Sequence, residues 1–277
     1  MAEGRRVALT APLVGRVAGP LLFVLVAVTS GAGLAGTARL TAAVVLWMAV
    51  WWMTEAAPLA VTALLPLVLF PLLGVRGVGG LAPTYSNEII FLFLGGFVLA
   101  LAVERSGLHR RLALAILDTV GDSPRRLVWG FLIATAALSM WLSNTATTLM
   151  LLPIAAGVAS RLDSAKAPAR LMLAVAYGAS IGGIGTLVGT PPNLVLAGMA
   201  PSLVPGLEPL SFGAWMAFGV PFVLLFLPAV GLLLGRGLRG GATRDRGLAA
   251  ERSALGRVSG FERRVAVLFA ATALAWI

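Results

Sequence analysis

Long apolar stretches without charge divide the 277-residue chain, and short charged segments separate them. An α-helix needs about 20 apolar residues to cross a bilayer, because it rises about 1.5 Å per residue. Most of the stretches approach or exceed that length, so the pattern predicts a series of membrane-spanning helices. The uncharged stretches are 17–38, 40–54, 56–75, 89–103, 127–160, 171–207, 209–235 and 265–277.

Composition supports lipid as the solvent. The chain is 59% hydrophobic and 12% charged, with a mean hydropathy of +0.96, whereas soluble domains carry about 25% charged residues. We therefore expect an all-α polytopic membrane protein. The chain has no cysteine and one histidine, His109, which argues against disulfides, thiolate chemistry and histidine metal sites. No organic cofactor is expected.

The positions of the charges explain the net charge of +10. A basic chain can bind nucleic acid, but here the basic residues cluster in the segments between apolar stretches, and basic loops face the cytoplasm. We therefore expect membrane lipid and no nucleic acid as a partner. The rule predicts a multi-pass protein of the plasma (inner) membrane with a cytoplasmic amino terminus, in which only Arg39 and Arg76 lie outside.

The stretch 127–160 has basic residues before and after it, so both of its ends should be cytoplasmic. Two full crossings need roughly 40 residues plus a turn, and this stretch is too short. Arms at 127–142 and 145–160 would each be about 24 Å long. The pattern predicts a re-entrant helical hairpin with Ser143-Asn144-Thr145 at its tip inside the membrane.

The stretch 171–207 predicts one crossing with a broken middle. Two crossings would leave the arginine-rich segment 236–264 outside, against the charge rule. The middle, 182–193, contains four glycines and the pair Pro191-Pro192, which do not sustain a regular helix. The two prolines fit the first turn of a restarting helix, where a missing N–H does no harm.

Two breaks at membrane depth need a physical reason, because each unpaired backbone group there costs several kcal/mol. Broken helices in transporters supply one: helix amino termini bind anions, and unwound carbonyls bind Na⁺. Gly185 and Gly189 allow carbonyls to turn toward a cation. A structural alternative stays open for each feature alone, since Ser and Thr bond to their own helix and glycines allow close packing. Their combination at one depth favours a binding site.

Two other segments have interfacial character. Residues 106–120 predict an amphipathic helix on the cytoplasmic surface, with His109 among its polar positions. Segment 236–264 is expected to be a solvated basic loop that can touch anionic lipid. Glu55 is expected to be an interfacial or capping carboxylate rather than a proton carrier.

Ser143-Asn144-Thr145 followed by Gly-Thr-Pro-Pro-Asn at 189–193 resembles the divalent anion/sodium symporter family. Supporting matches are Trp-Met-Thr-Glu-Ala-Ala-Pro at 52–58 and Ile-Phe-Leu-Phe-Leu-Gly-Gly-Phe at 90–97. The resemblance covers the chain from about residue 46 to its end. It implies one repeat of an inverted-repeat transporter, with a re-entrant hairpin and a broken transmembrane helix in each repeat.

The resemblance also implies roles for individual residues, with Na⁺ as the coupling ion and a small anionic substrate. Substrate contacts would come from Ser143, Asn144 and Thr145. The sodium ligands would be drawn from Ser139, Ser143, Asn144, Gly185, Gly189 and Thr190. Family members usually form homodimers and move substrate by an elevator motion of the transport domain.

Only one Ser-Asn-Thr tip and one Thr-Pro-Pro break are present. We therefore expect an amino-terminal repeat, either a fragment of a longer chain or a half-transporter that needs a partner. The expected organisation is a scaffold of transmembrane helices and an interfacial helix (1–126), a transport-site region (127–207), and a last region (208–277). This last region would hold a transmembrane helix, a basic loop and the start of a truncated helix.

The expected function is Na⁺-coupled symport of a dicarboxylate or another divalent anion such as sulfate. A related arsenite- or citrate-type permease is the nearest alternative, and a membrane structural or assembly subunit without transport activity is a second. An intramembrane enzyme is disfavoured, because the sequence offers no His/Asp pair, Gly-x-Ser-x-Gly elbow or paired intramembrane carboxylates.

Overall fold

The computed structural model describes residues 10–29, 36–121, 123–162, 164–208, 210–238 and 253–277. All regular structure in these ranges is helical, which confirms the all-α prediction. The helices are α1 (Ala11–Val28), α2 (Gly36–Thr54), α3 (Leu59–Ala63), α4 (Leu65–Leu72), α5 (Val78–Tyr85), α6 (Glu88–Ser106), α7 (Leu108–Val120), α8 (Pro124–Ser139), α9 (Asn144–Ala159), α10 (Ala167–Gly182), α11 (Pro191–Leu203), α12 (Phe212–Gly235) and α13 (Gly260–Trp276).

Among the described residues, four helical stretches are long and apolar enough to cross a membrane. They are Ala11–Val28, Gly36–Thr54, Val78–Ser106 (which holds α5 and α6) and Phe212–Gly235. Together with the many exposed leucines, valines and phenylalanines, they support the multi-pass prediction.

The chain divides into two compact units, 1–87 and 88–277. The predicted boundaries at 126 and 207 both fall inside the second unit and stay predictions about function. In the first unit, α1 and α2 approach closely because α1 has Gly15 and Gly19 at the contact. A Cβ at Gly15 would collide with Thr54, and one at Gly19 would lie 2.6–2.8 Å from the rings of Trp47 and Trp51.

Two predicted boundaries in the first unit were wrong. Arg39 was expected between the stretches 17–38 and 40–54, but it lies in the first turn of α2, where its Nη1 donates to the Thr29 carbonyl at 3.4 Å. Its location outside the membrane stays a prediction. Because the long arginine side chain reaches back past the start of the helix, a charged residue in the sequence does not mark the point where a helix ends. Likewise, 56–75 is not one helix: α3 stops at Ala63 and α4 starts at Leu65, because Pro66 has no N–H to continue the helix.

The second unit is built around α8, most of whose residues are buried. Helix α10 crosses it closely, because Gly178 and Gly182 lie against the α8 backbone. A Cβ at Gly178 would lie 2.7 Å from the Leu132 carbonyl oxygen, and one at Gly182 would collide with Ala136. Stripes of small residues of this kind let helices pack without a hydrophobic driving force.

Helix α7 confirms the predicted helix at 106–120. It has the strongest amphipathic character of the described helices, and it buries Ala113, Leu114 and Leu117. Its location on the membrane surface stays a prediction. Arg111 on its polar side donates to both carboxylate oxygens of Glu262, at 3.0 and 3.3 Å. The same guanidinium donates to the carbonyls of Leu255 and Gly256, at 3.1 and 3.2 Å.

Glu262 also completes a capping box at the start of α13. The Glu262 N–H donates to the Ser259 hydroxyl at 3.0 Å, and the Ser259 N–H donates to the Glu262 carboxylate at 2.6 Å. Helix α13 therefore begins at Gly260, five residues before the uncharged stretch 265–277 and inside the predicted loop 236–264. Residues 239–252 of that loop lie outside the described residues.

We predict that the contact between Arg111 and Glu262 makes stability depend on pH. Hydrogen bonds from Arg111, followed by the one from the Ser259 N–H, hold the pKa of Glu262 below its ordinary value of 4.5. A carboxyl whose pKa is lowered by folding stabilises the fold above its unfolded pKa, and this contribution is lost as pH falls through the lower, folded pKa. Arg111→Gln should therefore lower the melting temperature of the purified protein at pH 7, and the difference should shrink below pH 4.5. A constant difference across this range would contradict the assignment. Arg105→Gln, which removes an exposed arginine from the last turn of α6, serves as the control.

Candidate functional site

The first predicted break is present. Helix α8 ends at Ser139 and α9 begins at Asn144, and residues 140–143 form the turn between them. Ser143 caps α9: its hydroxyl accepts from the Ala146 N–H at 3.2 Å, and its carbonyl accepts from the Thr147 N–H at 2.9 Å. Ser143 and Asn144 are half-buried, and Thr145 is exposed. The helix–break–helix pattern is confirmed, and the re-entry of this hairpin into the membrane stays a prediction.

The second predicted break is present as well. Helix α10 ends at Gly182 and α11 begins at Pro191, with both prolines in its first turn as expected. The buried Asn193 carboxamide holds the loop between them, because its Nδ2 donates to the carbonyls of Gly183 and Thr186, each at 2.8 Å. Sequence analysis assigned no separate role to Asn193. Its position two residues after a helix-starting proline was the available signal.

The two breaks meet. The Ser139 hydroxyl oxygen lies 2.7 Å from Asn144 Oδ1 and 2.8 Å from the Ala179 carbonyl oxygen of α10. The Asn144 carboxamide occupies the space where a Cβ of Gly183 would stand. A Cβ at Gly189 would lie 3.0 Å from the Ser139 carbonyl oxygen. The structure thus brings together Ser139, Asn144 and Gly189 of the predicted set.

Thr186, which lies in the second break, also connects the two breaks. It is fully buried, and its hydroxyl donates to the Met140 carbonyl in the first break. The same oxygen accepts from the Gly189 N–H at 3.2 Å. Helix α12 adds Trp215, whose Nε1 donates to the Ile184 carbonyl at 2.9 Å. Sequence reasoning missed both side chains, because their partners are backbone atoms distant along the chain.

The other predicted sodium residues lie near this junction with different contacts. Gly185 is buried, and a Cβ there would lie 2.9 Å from the end of the Met140 side chain. The Gly185 carbonyl oxygen lies 3.1 Å from the Cβ position of Gly219 on α12. Thr190 caps α11 through its extended backbone, without a side-chain hydrogen bond. Gly185 therefore serves close packing in this structure.

The helix ends give the junction two kinds of charge. The carboxyl ends of α8 and α10, which carry partial negative charge, adjoin the amino ends of α9 and α11, which carry partial positive charge. Thr147, one turn into α9, is fully buried, and its hydroxyl has no hydrogen-bond partner in the described part of the chain. An unpaired buried hydroxyl costs about 1–3 kcal/mol. The junction can therefore attract a cation and an anion at neighbouring positions.

Comparison with known proteins identifies the family of the chain. A family model described as a citrate transporter matches residues 49–277, which include both breaks. The chain belongs to the citrate transporter family. The family is described as one of transporters.

Curated relatives refine the comparison. The chain is 39% identical over 285 residues to a sodium-dependent dicarboxylate transporter, SdcS, of Staphylococcus saprophyticus, and 38% identical over 288 residues to SdcS of Staphylococcus aureus strain MRSA252. These alignments cover 96% and 97% of the chain and 54% of each relative, so the chain spans about half the length of the curated relatives it matches. The relatives confirm the resemblance to sodium-coupled divalent anion transporters.

We predict that the junction tolerates no side chain at Gly189. A Cβ there would lie 2.5 Å from the Gly183 carbonyl oxygen and 3.0 Å from both Gly183 Cα and the Ser139 carbonyl oxygen, all of which are backbone atoms. Gly189→Ala should therefore destabilise the protein by about 1–3 kcal/mol. Gly157→Ala on α9 is the matched control, because a Cβ there meets open space. Thermal unfolding of the purified protein checks both variants, and equal effects would contradict the close approach.

Proposed function

We propose that this chain forms the Na⁺ site and part of the substrate site of a secondary transporter that couples Na⁺ to dicarboxylate symport. The observation that carries the proposal is the contact between the two breaks through Ser139, Asn144 and Gly183. It collects oxygen ligands beside the amino terminus of α9, whose first N–H groups can bind an anion, and coupled transport needs a site for each ion.

The cation would bind between Ser139 and Asn144, where the number of acceptor oxygens exceeds the number of hydroxyl protons. Ser139 has one hydroxyl proton and two acceptors within reach, Asn144 Oδ1 and the Ala179 carbonyl oxygen. If the Ser139 hydroxyl donates its proton to the Ala179 carbonyl, no proton lies between the Ser139 hydroxyl oxygen and Asn144 Oδ1. These two oxygens then repel each other at 2.7 Å. A Na⁺ ion bound to both removes that repulsion, and carbonyls near Gly189 complete its shell.

The anion would bind at the start of α9. The N–H groups of Asn144 and Thr145 have no partner within the helix, because they belong to its first turn. Ser143 uses one lone pair to cap the helix and keeps its hydroxyl proton for donation. The exposed Thr145 hydroxyl adds another donor. These groups suit one carboxylate of a small substrate.

The sequence motifs and relatives support dicarboxylate as the substrate class. The relatives are named sodium-dependent dicarboxylate transporters. Citrate is the second candidate, because the matching family model is described as a citrate transporter. Sulfate is a further divalent anion that the site chemistry admits. Competition against labelled succinate by citrate and by sulfate separates the three.

The proposal includes the arrangement in the membrane. The protein would lie in the plasma membrane with a cytoplasmic amino terminus, and α8 and α9 would enter and leave from the cytoplasmic side. Each of these helices has 16 residues, about 24 Å, which is shorter than a full crossing. Transport would proceed by an elevator motion in a homodimer, as the family resemblance implies.

The function is tested by uptake of labelled succinate into proteoliposomes under an inward Na⁺ gradient. We expect uptake to require Na⁺ and Asn144→Ala to abolish it, because Asn144 belongs to both proposed sites. Ser160→Ala is the matched control, since this serine lies at the far end of α9 and donates only to its own helix at Gly157. Uptake that persists without Na⁺ would refute the coupling, and full activity of Asn144→Ala would refute the site.

The same preparation separates the two halves of the site. Thr145→Ala should raise the half-saturating succinate concentration about ten-fold or more, since a hydrogen bond to a charged group is worth about 1.5–3 kcal/mol. Its half-saturating Na⁺ concentration, measured with saturating succinate, should change little. Ser139→Ala should raise the half-saturating Na⁺ concentration and change the half-saturating succinate concentration little. Identical effects of the two variants on both ligands would contradict the assignment of separate ligands.

Absence of native cysteine allows a direct test of the hairpin. Arg126, Lys166 and Glu208 are exposed positions of the second unit, and each can be replaced by a single cysteine. We expect a membrane-impermeant maleimide to label Arg126→Cys and Lys166→Cys from the cytoplasmic side, and Glu208→Cys from the outside. Labelling of Arg126→Cys and Lys166→Cys from opposite sides would show a full crossing between them and refute re-entry.

A further inference from the structure

A cavity of about 620 Å³ lies where α12 ends beside the start of α8. Two arginines line it, Arg125 from the first turn of α8 and Arg236 directly after α12. The other lining residues come from the last two turns of α12, including Leu232 and Leu233, and from Gly237 and Leu238 after the helix. Two guanidinium groups thus face a cavity that leucine side chains also line.

The length of α12 places this cavity at the edge of the bilayer. The helix has 24 residues, about 36 Å, and is apolar enough to cross the membrane, so its carboxyl end reaches the headgroup region. Leu232 and Leu233 in its last turn are 54% and 63% exposed, which in a spanning helix means contact with acyl chains. Arg236 follows at the level of the phosphates.

Close packing of α8 on α12 holds the two arginines at one cavity. The Trp129 ring lies on Gly231, where a Cβ would be 2.5–2.6 Å from its carbons. The Arg125 side chain crosses Gly235, with its Cγ and Nε 3.3 and 3.4 Å from the Cβ position there. A larger residue at Gly231 would collide with the Trp129 ring.

The end of α12 is held separately by Arg170. Its Nη1 donates to the Leu234 carbonyl at 3.0 Å and also to the Arg236 carbonyl, so its guanidinium is engaged by the backbone. Arg125 and Arg236 differ, because no carboxylate of the described residues forms an ion pair with either, and both are exposed. Within the described residues, their charge is therefore not neutralised by a carboxylate.

We propose that this cavity binds the headgroup of an anionic phospholipid. The lipid phosphate would lie between Arg125 and Arg236, and an acyl chain would run along Leu232 and Leu233. Arginine is suited to phosphate because its planar fork donates two parallel hydrogen bonds. Basic pockets between transmembrane helices on the cytoplasmic side have the chemistry that anionic headgroups need. The site is independent of the substrate site.

Lipid bound here would stabilise the packing of two helices that both reach the breaks. Helix α8 ends at Ser139 in the first break. Helix α12 contacts the second break, where a Cβ at Gly219 would lie 2.7 Å from the Ile184 carbonyl oxygen. A phosphate bridging α8 to α12 at the headgroup level therefore adds a contact between the helices that carry both breaks.

The test compares lipid adducts of the detergent-purified protein by native mass spectrometry. Phosphatidylglycerol should bind with higher affinity than phosphatidylcholine of the same acyl chains. Each of Arg125→Gln and Arg236→Gln should weaken phosphatidylglycerol binding about five-fold, since one arginine at the membrane surface is worth about 1 kcal/mol to an anionic lipid. Arg126→Gln is the matched control, because it removes the same charge from an exposed neighbour that points toward Gly121 rather than into the cavity.

The outcomes decide between a lipid site and its alternatives. Equal weakening by all three variants would show a diffuse surface charge effect and overturn the proposal. Competition of equal strength by inorganic phosphate would identify a free-anion site and overturn the choice of lipid. Unchanged melting temperatures of the variants in detergent without lipid, together with a smaller rise on adding phosphatidylglycerol, would support it and show that the variants fold. If the variants showed the same rise in melting temperature with phosphatidylglycerol as the unchanged protein, the result would count against the lipid site.

Discussion

A backbone N–H or carbonyl in hydrocarbon must find a partner within the protein, because lipid offers none and each unpaired group costs several kcal/mol. In the second unit the two helix breaks contact each other, which would satisfy such groups at the predicted membrane depth. Thr186 donates to a carbonyl of the first break, Asn193 donates to two carbonyls of the second break, and Trp215 on α12 donates to the Ile184 carbonyl in the second break. These four bonds join the loop between α10 and α11 to the first break, to α11 and to α12.

Glycine residues allow the helices and the two breaks to approach this closely, and a side chain at these positions would prevent the contact. Gly178 and Gly182 meet the α8 backbone, Gly189 meets Gly183 and Ser139, and Gly219 meets Ile184. In each case the neighbouring atom belongs to a backbone, which cannot rotate away as a side chain can. The junction is therefore held by close main-chain contacts, and the exposed Thr145 lies at its edge.

Sequence alone predicted the features that depend on local chemistry. Pro191 and Pro192 located the restart of α11, the Ser-Asn-Thr triplet located the first break, and charge spacing located α12. It failed where a distant partner decides the structure. Arg39 lies inside α2 with its side chain reaching back to Thr29, and α13 begins before its uncharged stretch, where Glu262 contacts both Ser259 and Arg111 of α7. Asn193 and Thr186 were missed for the same reason, since their acceptors are carbonyls whose positions exist only in the folded chain.

Asn144 gives a physical basis for coupling in the proposed site. Its carboxamide oxygen faces Ser139 among the carboxyl ends of α8 and α10, and its backbone N–H opens the first turn of α9. A cation held by the first group and an anion held by the second would share one residue. At a separation of about 4 Å and an effective dielectric constant of about 20, two unit charges attract by about 4 kcal/mol. Each ion would thereby raise the affinity for the other, and the reciprocity of linkage requires the two effects to be equal. A site of this kind favours the states in which both ions or neither ion is bound, which is the condition that symport requires.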